Sequence, residues 1–219
     1  MTKYVPQLIN LFATLILMLS FAMISQRRIV SLINLFALQG AALVAASILL
    51  AYATHQPDLY VSAGLTLALK VILIPWLLHR VIRKLNVRWD VETLLNIPTT
   101  MLVGIALVIF SFSLALPISR LSSSMAGGSL GIALACVLLS FMMMITRSKA
   151  VPQVIGFLSM ENGLIFAATT VTNGMPMIVE FGIALDVLVG VLILGVFMFQ
   201  IREKFDSLDI HHLESLKED

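Results

Sequence analysis

Charge is what this chain has least of. Lys, Arg, Asp and Glu together make up 12% of its 219 residues, about half the share a water-facing domain carries, which excludes a soluble globular fold. There is one cysteine, Cys136, so an internal disulfide is excluded and the thiolate set of an iron–sulfur cluster cannot come from this chain. No cofactor is expected in it, and any redox centre coupled to it must sit in another chain. The period-two alternation of a transmembrane barrel is absent as well. What is present is apolar length: 59% hydrophobic residues and a mean hydropathy of +1.02. The expectation is an all-α polytopic membrane helix bundle whose partners include the lipid bilayer and no nucleic acid.

Cutting at polar and turn-forming clusters predicts about seven transmembrane helices, near residues 6–25, 29–53, 60–82, 97–117, 129–146, 150–172 and 176–200. Each approaches the roughly 20 residues that cross a bilayer. The first is too long and uniformly apolar for a signal-peptide core and is read as retained. Arg27, Arg28, Arg80, Arg83, Lys84, Arg88, Arg147, Lys149, Arg202, Lys204 and Lys217 fall on one set of loops, and only Lys3 and Arg120 on the other. Under the positive-inside rule this bias puts the N-terminus outside and the C-terminus in the cytoplasm, an arrangement that needs an odd number of spans. The expected location is the cell (inner) membrane.

Comparing the halves suggests a parallel three-helix repeat. RRIVSLINLFALQGAALVAA resembles RSKAVPQVIGFLSMENGLIFAA, and LALKVILI resembles IALDVLVG. Chance matching of apolar residues is the alternative, but the alignment pairs Gln39 with Glu161 and Lys70 with Asp186, so polar positions coincide. The expected organisation is 1–92 as the first repeat, 93–128 as a connecting span, 129–200 as the second repeat and 201–219 as a cytoplasmic tail. In that tail Leu208, Ile210, Leu213 and Leu216 share part of one helical face, which suits either docking on a partner or a solvated end.

Ionisable groups inside spans are costly and point to function. At 1.5 Å rise per residue, Glu161 lies ~16 Å inside its helix, and Asp186, Lys70 and Gln39 lie at similar depth, near the midplane of the hydrocarbon layer. Glu180 lies about one turn inside the outer face. Burial disfavours a charged carboxyl and a nearby cation favours it, so Glu161, Asp186, Glu180 and Lys70 are the candidate proton relay. The competing reading is a structural pair of Lys70 with one acid, which desolvation makes a poor stabiliser. Gln39, Gln153 and Asn162 are supporting polar positions, suited either to a water wire or to holding helices together. Asn34 carries the same ambiguity. Pro75, five residues after Lys70, is expected to kink its span. His211 and His212 are too isolated to suggest a metal site.

The acid-bearing stretches GFLSMENG (Gly156, Met160, Glu161, Asn162, Gly163) and VEFGIALD (Val179, Glu180, Gly182, Ile183, Ala184, Asp186) resemble hydrogenase-4 component E, the HyfE-type membrane subunit of formate hydrogenlyase-like complexes. KVILIP, with Lys70 and Pro75, and the tail segment LDIHHLESLK resemble it too, and the likeness runs over essentially the whole length. That family is in turn similar to the K-type subunit of complex I and the C-type subunit of multisubunit cation/proton antiporters, whose second and third helices carry acids. The resemblance implies a non-catalytic membrane subunit of a complex I-like nickel–iron hydrogenase that contributes buried carboxylates to proton translocation coupled to electron transfer. It also implies antiporter-like membrane subunits and cytoplasmic hydrogenase subunits as partners, with the [NiFe] centre and iron–sulfur clusters in those partners. Asp rather than Glu at 186, and Gln39 and Lys70 in the first half, depart from the K-type pattern. A sodium/proton antiporter subunit and a purely structural anchor are the alternatives.

Overall fold

The computed structural model describes residues 5–85, 96–121 and 126–171, together with 182, 185, 188–190 and 193. Among these residues the structure is helical and contains no strand. The elements are α1 (Val5–Ser25), α2 (Ile29–Thr54), α3 (Pro57–Thr66), a π-helical segment (Leu67–Leu73), α4 (Ile74–Leu85), α5 (Ile97–Leu121), α6 (Ala126–Thr146) and α7 (Ala150–Val171). Among the described residues, six helical stretches are long and apolar enough to cross a membrane, with α3, the π segment and α4 acting as one of them. Of the seventh predicted span, Gly182, Val189 and Ile193 are helical and buried. Their spacing of seven and four places them on one face.

Local chemistry explains the element ends. His55 takes a left-handed conformation (φ 55°) after α2, and Pro57 opens α3 at a position where its missing N–H costs nothing. The expected disturbance around Pro75 takes the form of a widened turn. Proline offers no N–H to the carbonyl four residues back, and just before it the Ile74 N–H reaches five residues back to the Leu69 carbonyl. Lys70 sits at the centre of this π-helical turn. Such single-turn insertions are frequent at functional positions.

Helix α1 forms a hairpin with α2, and α6 with α7. The hairpins lie side by side, α1 on α6 and α2 on α7, while α5 covers α6 and the π segment and α4 pack on α2. Glycines set the closest approach. A methyl group at Gly156 would come within 2.9 Å of Met144 Cγ, and one at Gly163 within 3.1 Å of Val137 Cγ2, so α7 meets α6 backbone to backbone. Close approach through small residues is how helices gain packing energy in lipid, where apolar burial gives no drive.

The interior holds two large apolar clusters, besides a small one of Val5, Ile9, Leu50, Ala51 and Leu59. One large cluster contains Met23, Ile33, Phe36, Leu78, Leu139 and Leu158. The other contains Ala13, Ile16, Leu43, Ala133 and Phe166. Large apolar side chains cover the outside: Leu11, Met18, Leu102 and Ile109 are each at least 60% exposed. In water this surface would be an aggregation liability, and in a bilayer it is the lipid contact.

Candidate functional site: a polar layer at mid-span

Each hairpin helix carries a buried polar position part-way along its length. In α1, Ser20 separates Ile16 from Met23, and in α2, Gln39 separates Phe36 from Leu43. In α7, Ser159, Glu161 and Asn162 separate Leu158 from Ile165, and α6 contributes Ser140 beside Leu139. All six polar residues are at most 5% exposed. The result is one polar layer between two apolar slabs.

Gln39 is its hub. Its Nε2 donates to Ser20 Oγ at 2.8 Å and to Ser159 Oγ at 3.0 Å, and its Oε1 accepts from Asn162 Nδ2 at 3.1 Å. The Ser20 hydroxyl donates to the Ile16 carbonyl at 2.9 Å. With that proton committed, Ser20 acts only as an acceptor toward Gln39, which fixes the orientation of the amide. Ser159 and Ser140 share a hydrogen bond of 2.7 Å. Four helices are thus joined by side chains at one level, with no backbone opening needed.

Beside this hub stands the ion pair. Lys70 Nζ lies 3.1 Å from Glu161 Oε1, with side chains 0% and 6% exposed. Lys70 reaches the interior because the π-helical segment lies close to α2 at Gly40, where a methyl would meet Val71 Cγ2 at 3.3 Å and Lys70 Cβ at 3.5 Å. Glu161 reaches it because α7 turns that face inward between Leu158 and Ile165. On its other side Glu161 borders an apolar cavity of about 330 Å³, lined also by Phe157, Met160, Leu164, Gly182 and Leu185. Glu161 is the titratable group among the described residues of that lining. Gly182 brings the last span against it, since a Cβ there would lie 3.7 Å from Glu161 Oε1.

The predicted positions divide as follows. Lys70, Glu161, Gln39 and Asn162 come together. Gln153 does not, being exposed and donating to the Arg147 carbonyl at 2.8 Å. Asn34 is exposed on α2, while Asp186 and Glu180 lie outside the described residues. Sequence reasoning passed over Ser20, Ser140 and Ser159, since serine is common in spans and satisfies itself on the preceding turn. A usable signal was the shared separation of 19 residues in Ser20/Gln39 and Ser140/Ser159.

It also passed over Arg147, counted there only as a loop cation. Arg147 is 1% exposed and its Nη2 donates to the Ile24 carbonyl at 2.6 Å, at the C-terminal end of α1, where carbonyls lack helical partners. Burial lowers its proton affinity below the ordinary value of a guanidinium, and the helix-end carbonyls partly offset that cost.

A protein of Mycobacterium tuberculosis, the uncharacterised Rv0085, is 30% identical to this chain over 212 residues, covering 96% of each. The chain belongs to the family of that protein. Hydrogenase-4 component E of Escherichia coli is a more distant relative of similar length, 22% identical over 210 residues and covering 96% of this chain and 97% of the relative. Its counterpart in Shigella flexneri matches to the same extent. This full-length match supports kinship with hydrogenase-4 component E. No family model matches the chain, and no solved structure matches it.

Proposed function

We propose that this protein is a non-catalytic membrane subunit of a complex I-like nickel–iron hydrogenase, in which Glu161 takes up and releases protons as the catalytic arm turns over. The observation that carries the reading is the Lys70–Glu161 pair at 3.1 Å, nearly inaccessible to water and set beside a hydrogen-bonded polar layer midway along the apolar helices. Charges so placed are expensive, and the pair alone returns little stability, so use in ion movement accounts for them better than anchoring does. The full-length likeness to hydrogenase-4 component E supports the assembly context. In this reading the antiporter-like and hydrogenase subunits are the partners, the [NiFe] centre and iron–sulfur clusters reside in them, and the basic loops face the cytoplasm.

Within this chain the residues would act in sequence. Lys70 holds the Glu161 carboxylate when it is ionised. A proton arriving on Glu161 weakens the pair and frees Lys70, and Asp186 or Glu180 in the last span receives or supplies the proton. Gln39, Asn162 and the serines keep the surrounding amides and hydroxyls oriented, so the change of charge does not scramble the packing.

The test is Glu161→Gln in the native membrane, with the tagged protein purified gently and its companions identified. Glutamine keeps shape and removes the titratable group. The expected result is a normally assembled complex whose proton translocation in vesicles falls several-fold. Unchanged translocation in an intact complex would reduce the pair to a structural device. Recovery of only cation-antiporter subunits would overturn the hydrogenase assignment.

A further inference from the structure

Helix α4 has two unlike faces. Ile74, Leu78 and Ile82, at spacing four, are buried in the core. Trp76, His79, Arg80 and Arg83, at spacing three, four and seven, form the opposite stripe, on which Trp76 is 55% exposed and both arginines are exposed. The membrane-crossing stretch that contains this helix ends at Arg80, so the stripe lies where hydrocarbon gives way to headgroups. The same four side chains line a cavity of about 480 Å³.

The stripe is organised rather than merely basic. The Arg80 guanidinium stacks over the Trp76 ring, 5.2 Å from its centroid, which holds its planar face and leaves its N–H edges free. His79 Nδ1 lies 2.8 Å from the Pro75 carbonyl, pinning the imidazole along the helix. Among the described residues, neither Arg80 nor Arg83 has a carboxylate within ion-pair distance. Two guanidinium groups with no carboxylate beside them among the described residues, next to a tryptophan and opening on a cavity at the end of an apolar span, match an anionic phosphodiester whose acyl chains run along the helix.

We propose that the Trp76–His79–Arg80–Arg83 cavity binds the headgroup of an anionic glycerophospholipid. The phosphate sits between the Arg80 and Arg83 forks, and Trp76 lies against the upper acyl chain and glycerol. The lipid thereby anchors the helix that carries Lys70, ten residues away.

Trp76 can report the occupancy itself. The chain has two tryptophans, so Trp89→Phe leaves Trp76 as the sole indole. This protein is reconstituted in vesicles of phosphatidylcholine containing either acyl-brominated phosphatidylglycerol or acyl-brominated phosphatidylcholine at equal mole fraction. Bromine quenches an indole it touches. The expected result is about fivefold preferential quenching by phosphatidylglycerol, the ratio one arginine contributes near a charged lipid surface, and more if both act. Arg80→Gln with Arg83→Gln should abolish the preference, each signal being normalised to its own unbrominated control, while Arg27→Gln with Arg28→Gln should leave it intact. Equal quenching by both lipids, or a preference that survives loss of Arg80 and Arg83, overturns the proposal. So does a saturable response of Trp76 to inorganic phosphate in pure phosphatidylcholine vesicles, which would assign the cavity to a soluble anion. Loss of the preference when an acidic partner protein copurifies in its place would likewise overturn it.

Discussion

Replacing Lys70 by methionine should be one of the most damaging single changes in the described interior, and its cost can be worked from the geometry. Unit charges 3.1 Å apart attract by roughly 5 kcal/mol at an effective dielectric constant near 20. Measured losses on removing one partner of a buried pair are about 3–5 kcal/mol, because the remaining charge is left without compensation. Methionine fills most of the lysine's volume, so little of the loss should come from a cavity. The assay is a cycle of Lys70→Met, Glu161→Gln and the double variant, each followed by thermal or denaturant unfolding in one detergent or lipid environment. Lys70→Met should lose about 3 kcal/mol or more, and Glu161→Gln less, because the glutamine carbonyl still accepts a bond from the lysine ammonium. The double variant should recover most of that, giving a coupling energy of at least ~2 kcal/mol, at the upper end of what interacting neighbours show. Additive losses, or a Lys70→Met protein as stable as the parent, would refute the idea that the two charges depend on each other.

Other expectations follow from the same layer and its supports. Gln39→Leu removes three hydrogen bonds at once; at about 0.6 kcal/mol per interhelical bond, with a maximum near 1.7, the loss should be about 2 kcal/mol in an unfolding measurement. Gly163→Val should be worse than its small size suggests, since a Cβ already meets Val137 Cγ2 at 3.1 Å and Cys136 Cβ at 3.2 Å. Overpacking of about 1–3 kcal/mol or outright loss of the α6/α7 contact is expected, read as lowered yield of folded protein. Arg147→Met should destabilise the contact between the hairpins by about 1.5–3 kcal/mol through loss of the charged bond to the Ile24 carbonyl, and Arg147→Lys should rescue it only in part, because an ammonium cannot present the same fork. A hydrogen-exchange comparison at the end of α1 would detect it.

Composition and hydropathy were enough to make this chain a membrane helix bundle, because lipid leaves a backbone no other way to satisfy its polar groups. Apolar run length placed the spans, and burial cost alone marked Lys70 and Glu161 as exceptional. The sequence could not say which acid Lys70 meets. Lys70 and Glu161 are 91 positions apart, and their encounter depends on the approach of α2 to the π-helical segment at Gly40, on α2 lying against α7 and on the widened turn before Pro75. Nor could it show that Gln39 binds Ser20, Ser159 and Asn162 from two other helices, since hydropathy treats serine as nearly neutral and carries no record of neighbours. The same holds for Arg147, which belongs by sequence to a basic loop and by structure to the end of α1. Periodicity reports which residues must avoid lipid. Which of them then touch is settled by how these helices cross, and that is a property of their packed surfaces together rather than of any one segment.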